Sequence, residues 1–227
     1  MDRPEWCAVH PTTGEVYFTL TNNSNRRVEP TGSSQLAPDS ANPRVYVDQK
    51  GSTAQNGNPN GHILRMREGA AGAAATTFTW DVYLFGAESG ANAATVNLSS
   101  LTDDQDFSSP DGLVFSQATG ICWIQTDDGA YTDVTNCMML AAVPGKVGDG
   151  GAATAAGGTA TIKGANATAN TVRRFLVGPK DCEITGIAVT PDGKTLFFNV
   201  QHPGENGTLA TMTSHWPDSQ TTTGSTK

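Results

Sequence analysis

Three stretches of this chain repeat one layout: EWCAVHPTTGEVYFTLTN at 5–22, DGLVFSQATGICWIQTD at 111–127 and EITGIAVTPDGKTLFFNVQH at 183–202. Each opens with a carboxylate, runs into a short apolar strand, turns at Gly14, Gly120 or Gly193, and returns as a second apolar strand ending in Asn22, Asp127 or His202. Thr-Thr-Gly, Ala-Thr-Gly and Pro-Asp-Gly supply the left-handed backbone positions that tight hairpins need. A hairpin recurring at long, irregular intervals, with further strands between its copies, is the pattern of β-propeller blades.

Composition agrees with many short strands. The chain has 25 Gly and 12 Pro in 227 residues, and only 16% of residues are charged, fewer than the exposed faces of long helices demand. Strand candidates between the hairpins are Gly61 to Met66, Thr76 to Leu84 and Thr171 to Val177, the first two reading as outer strands of the first blade. Two stretches read as flexible insertions. Residues 24–60 are rich in Asn, Pro, Ser and Gly, and 20 of the 27 residues at 145–171 are Gly, Ala or Thr. The expectation is one all-β domain over 1–227, a partial β-propeller of about three to four blades, against the four to eight of a closed ring.

The net charge of −8 disfavours nucleic acid and anionic membrane surfaces as partners. No stretch approaches the roughly 20 apolar residues of a membrane span. The opening MDRPEWCAVHP has neither a basic nor an apolar signal region, so a trimmed chain or a gene fragment begun at an internal Met is expected. Cys7, Cys122, Cys137 and Cys182 lack metal-type spacing; Cys122 and Cys182 read as buried thiols, with a disulfide between them as the alternative.

Glu5, Asp111 and Glu183 stand at matched places, just before the innermost strand of each repeat, where blades converge on one axis. Converging carboxylates repel unless a cation neutralises them, and a hard ion such as Ca²⁺ suits an all-oxygen donor set. Asp127, Asn22 and Asn23 offer further oxygens; His202 reads first as a hydrogen-bonded structural residue after its strand, with a place at the same mouth beside Glu205 as the alternative. The run at 102–106 reads as a solvated loop. There is no G-x-S-x-G, P-loop or H-E-x-x-H, so catalysis, if present, falls to metals.

The segments MDRPEW (1–6), GEVYFTLTNNS (14–24), ANPR (41–44), GHILR (61–65), AATTFTWD (74–81), DFSSPDGLVF (106–115), WIQTDDG (123–129), RRFLVGP (173–179), CEITGIAVTPDGKTLFFNVQHPGE (182–205) and SHWPD (214–218) together resemble the PhoX-type bacterial alkaline phosphatases. The resemblance implies a six-bladed propeller exported by the twin-arginine route to the periplasm or beyond. It further implies that the family hydrolyses small phosphate monoesters with calcium and iron in the channel, as a monomer when complete. By position it makes Glu5 and Glu183 catalytic metal ligands, with Asp111 and Asp127 as companion metal ligands. The family's N-terminal half, with its cysteine ligand to iron, has no counterpart here, so this fragment alone is expected to be inactive. Lys180, Arg173 and Arg174 are the candidates for the phosphate-binding basic residue. A lactonase-like calcium-dependent propeller hydrolase and a non-catalytic propeller binding module are the alternatives.

Overall fold

The computed structural model describes residues 1–127, 129 and 131–218, and among them there are fourteen β-strands and one 3₁₀ turn. The three repeats become the hairpins β1–β2 (Pro4–Val9, Val16–Leu20), β7–β8 (Pro110–Phe115, Cys122–Thr126) and β13–β14 (Glu183–Val189, Leu196–Gln201). Their turns close on Gly14, Gly120 and Gly193, with φ of 71°, 72° and 69°. That is the left-handed region an L side chain resists and glycine adopts freely.

Each of the first two hairpins is extended outward into a four-stranded antiparallel blade. β5 (His62–Glu68) and β6 (Phe78–Phe85) add to the first in the order β1-β2-β5-β6; β9 (Met138–Ala142) and β12 (Val172–Val177) add to the second in the order β7-β8-β9-β12. The third blade is the β13–β14 hairpin by itself. The expected partial propeller is therefore observed as two four-stranded blades and a two-stranded third. The strand candidates at 61–66, 76–84 and 171–177 correspond to β5, β6 and β12.

Blades stack face to face through side chains that alternate along the strands. Tyr17, Ile63 and Tyr83 of the first blade meet Leu113, Phe115, Ile124 and Leu140 of the second, all nearly or fully buried. A smaller cluster of Cys137, Met139, Cys182 and Ile184 joins the second blade to the third. Thr19 on β2 also donates its hydroxyl to the Asp111 carbonyl on β7 at 2.6 Å, locking adjacent inner hairpins together near the axis.

The two stretches expected to be flexible insertions carry structure of their own. Within 24–60 lies the hairpin β3–β4 (Tyr46–Lys50, Thr53–Gly57), and within 145–171 the hairpin β10–β11 (Gly151–Thr154, Ala160–Lys163), which joins the outer edge of the first blade beside β6. The second is held by pairing with β6 and by Ala155, buried against Leu20, Val82 and Phe85; the anchors of the first are polar, which apolar counting overlooks. Fully buried Arg44 donates to the carbonyls of Gly86 at 2.7 Å and Val96 at 2.9 Å, and also to that of Gly61. Buried Asp2 accepts from Arg26 at 2.7 Å and from Asn23 and Asn58 at 3.0 Å each. The run at 102–106 is a loop exposed at Thr102, Asp103 and Asp104, as expected, but Gln105 and Asp106 turn inward, Asp106 being 4% exposed and ion-paired with Arg174. No disulfide forms between Cys122 and Cys182, whose side chains belong to different clusters. No helix among the described residues is long and apolar enough to cross a membrane.

Candidate metal centre

One backbone device recurs at the start of each inner strand. Arg3, Ser109 and Asp181 have φ of 47°, 48° and 52°, and each stands two residues before Glu5, Asp111 or Glu183. The carbonyls of the three accept from the far end of the returning strand: Thr21 N to Arg3 O at 3.1 Å, Asp127 N to Ser109 O at 3.1 Å, and Gly204 N to Asp181 O at 2.9 Å. Non-glycine residues in this conformation are strained and persist only where surrounding bonds hold them. Here the bond closes the hairpin and, in the second blade, carries Asp127 back beside Asp111.

Just after this point the ladder slips. In β1 two residues, Glu5 and Trp6, stand between the pairs Pro4↔Leu20 and Cys7↔Phe18, opposite Thr19 alone; in β7, Asp111 and Gly112 stand between Pro110↔Thr126 and Leu113↔Ile124, opposite Gln125 alone. Such bulges re-aim a side chain. In β13 the irregularity falls later, between Thr185 and Ile187, so Glu183 stays in register with Gln201. The matched positions seen in the sequence thus coincide in their offset from the strained residue, while Glu183 differs in its pairing.

Oxygens of Asp111, Asp127 and Glu183 all lie within 4.8 Å of one another, and all three residues are half-buried. Burial and the neighbouring charges of Glu5, Glu183 and Asp127 raise the Asp111 carboxyl to about 7, with Arg3 opposing. Glu183 is also raised, by burial and then by Asp127, against the lowering effect of His202 and Gln201. Gln201 donates its amide to Glu183, and His202 lies 3.5 Å from Glu183 and 3.2 Å from Glu205.

Glu5, expected in the converging set, is outside the close trio. Its carboxylate pairs with Arg3 at 3.4 Å, yet it is near enough to act on Asp111. Arg3 also donates to Asn22 at 3.3 Å. Of the three basic candidates from sequence, Arg174 is tied to Asp106 and the Asp103 carbonyl, and Arg173 donates to the Ala169 carbonyl. Arg3, beside Glu5 and Asn22, is a basic group at this site that the sequence reading missed, and its place two residues before Glu5 was the signal available.

The donors suit a hard cation. Three carboxylates gathered this closely, two of them raised by burial and by one another's charge, make a negative pocket, and calcium accepts oxygen ligands in loose geometry. A thiolate ligand is not offered: Cys182 is buried in the interblade cluster, and Cys7 is exposed on β1.

The family model described as alkaline phosphatase PhoX matches residues 1–204. Among solved structures, Pseudomonas fluorescens PhoX in complex with vanadate, a transition state analogue, is similar with a TM-score of 0.64 and 34% sequence identity; the match covers 96% of this chain and 31% of that one. This chain therefore spans about a third of the length of that relative. No curated protein matches.

Proposed function

We propose, from the premise that this chain belongs to the alkaline phosphatase PhoX family, that it supplies one side of a metal centre for phosphate monoester hydrolysis. Asp111, Asp127 and Glu183 would hold Ca²⁺, with Glu5 as an adjoining ligand. The observation that carries this reading is the trio of carboxylates drawn from two separate sheets to within 4.8 Å. The solved relative's complex with a transition state analogue supports an in-line phosphoryl transfer chemistry for such a centre. Fe³⁺ belongs to the same proposal, its cysteine ligand coming from outside these residues. A periplasmic or secreted setting and a monomeric complete protein follow from family membership in this reading.

When bound, the cations would neutralise charge on the phosphate oxygens as it develops in the transition state. The chain's own residues do the rest. Gln201 and His202 orient Glu183 by hydrogen bonding to its carboxylate. The bulge at Asp111–Gly112 lets the Asp111 carboxylate meet those of Asp127 and Glu183. Arg3, held between Glu5 and Asn22, presents a fork of donors suited to a phosphate oxygen. With the cations in place, an acidic chain attracts an anion instead of repelling it.

Ca²⁺ titration of the chain by calorimetry, with p-nitrophenyl phosphate and a lactone assayed in parallel with and without EGTA, tests the reading. Saturable Ca²⁺ binding lost in Asp111→Asn supports it. Absence of binding, or binding indifferent to Asp111→Asn and Asp127→Asn, overturns the metal assignment. EGTA-sensitive lactone turnover without phosphate release would move the chain to the lactonase class.

A further inference from the structure

The geometry points to a covalent cross-link site at the seam between the second and third blades: we propose that Cys137 and Cys182 form a disulfide when the folded chain meets a small-molecule disulfide oxidant. None of the four cysteines is in a disulfide in the structure. Cys137 and Cys182 are 3% and 5% exposed and belong to one four-residue cluster with Met139 and Ile184. The pattern is of two residues at alternate positions from each of two sheets. Cys137 and Met139 project from one face of the β9 segment, and Cys182 and Ile184 from one face of the β13 segment, and these two faces meet in the cluster.

Gly178 places them more closely. β12 and β9 pair at Val177↔Met138, and the ladder continues with Gly178 N donating to Cys137 O at 2.8 Å. Gly178 and Cys137 are thus opposite one another, and side chains so placed share a face with Cβ positions about 4.5–5.5 Å apart. A Cβ built on Gly178 would stand 2.5 Å from the Cys182 sulfur. The space that a side chain at 178 would take is occupied by the Cys182 thiol, which therefore lies over the face from which Cys137 projects.

The chemistry balances as two successive thiol–disulfide exchanges. One protein thiol attacks the oxidant's disulfide, forming a mixed disulfide and releasing one oxidant thiol. The second protein thiol attacks the protein sulfur of that bond and releases the other. Two protein S–H bonds and the oxidant's S–S bond are exchanged for one protein S–S bond and two oxidant S–H bonds. Two electrons and two protons pass to the oxidant. The product would fasten the β13–β14 hairpin, which carries Glu183, to the blade that carries Asp111 and Asp127.

The test is to incubate the folded chain with oxidised glutathione, alkylate remaining thiols, digest, and map cysteine peptides by mass. The expected product is a Cys137–Cys182 linked peptide about 2 Da lighter than the sum of its reduced parts. It should form within one chain, with Cys122 alkylated only after unfolding. Recovery of both cysteines as alkylated thiols, or a link that involves Cys7, Cys122 or a second chain instead, overturns the proposal. The mapping needs no variant. As a second readout, the oxidised chain should unfold roughly 5–15 °C higher than the reduced chain, and Cys137→Ser should abolish that increment. An increment that persists in Cys137→Ser also counts against the link.

Discussion

Asp111 on β7 and Glu183 on β13 belong to different sheets, yet they bring carboxylate oxygens within 4.8 Å of each other. Their approach is enforced from outside the site, by the interblade packing of Met139 and Ile184 and by the hairpin-closing bonds to Ser109 and Asp181. The repulsion between them is a cost that the fold carries.

That cost sets a pH dependence. Asp111 is raised from its ordinary 3.8 to about 7, and Glu183 shifts the same way. The folded chain then holds more protons than the unfolded chain between about pH 4 and 7, so metal-free stability declines as pH rises through that window. Urea midpoints in EDTA should be lower at pH 8 than at pH 5. Asp111→Asn should recover about 1–2 kcal/mol at pH 8, a figure discounted for partial solvent exposure. Equal midpoints for the two proteins at pH 8 would contradict the repulsion.

Ligand removal should separate the close trio from Glu5. Asp127→Asn and Asp111→Asn each remove a charge from the trio and should weaken Ca²⁺ binding by roughly tenfold or more. Glu5→Gln, already balanced by Arg3 at 3.4 Å, should weaken it by only about two- to threefold. Calorimetric titration gives the order directly. A Glu5→Gln effect larger than that of Asp127→Asn would put Glu5 in the inner set.

A buried ion pair in the first blade offers a stability test remote from the carboxylate trio. Arg65 and Asp81 are both fully buried, with bonds of 3.0 and 2.5 Å, and Gly148 N donates to the same carboxylate at 2.6 Å. Asp81→Ala strands the guanidinium and should cost about 3–5 kcal/mol, read as a drop in the urea midpoint with secondary structure retained. A loss below about 1 kcal/mol would mean that Asp149, 3.4 Å from Arg65, takes over the pairing.

Gly112 sits in the bulge beside Asp111, where an added Cβ would come 2.4 Å from the Gln125 Oε1 atom. Gln125 is fully buried, so it has little room to yield. Gly112→Ala should destabilise by about 1–3 kcal/mol and weaken Ca²⁺ binding, because the bulge aims Asp111. Adding Gln125→Ala should restore part of both losses. Two effects that simply add would show that the contact is not the cause.

Much of the architecture is written locally. Gly14, Gly120 and Gly193 declare the hairpins, apolar runs declare their strands, and a carboxylate before each inner strand declares a converging acidic set. These signals survive because hairpin turns and strand periodicity depend on neighbours within a dozen residues. What the residues alone did not disclose has a non-local or polar cause. Arg44 orders an apolar-poor stretch by giving its guanidinium to distant carbonyls, and Asp106 is buried because Arg174 reaches it from β12. Arg3 and Ser109 adopt a left-handed conformation although neither is a residue type that favours it, so nothing local announces them.

The sequence by itself determined an all-β chain of repeated hairpins with acidic groups poised at their inner ends. Which acids meet was decided by tertiary structure: Asp127 joins Asp111 and Glu183, while Glu5 turns to Arg3. Distances between carboxylates on separate sheets are fixed by how blades pack and where ladders slip. Those depend on side chains far apart along the chain, beyond the reach of any local pattern.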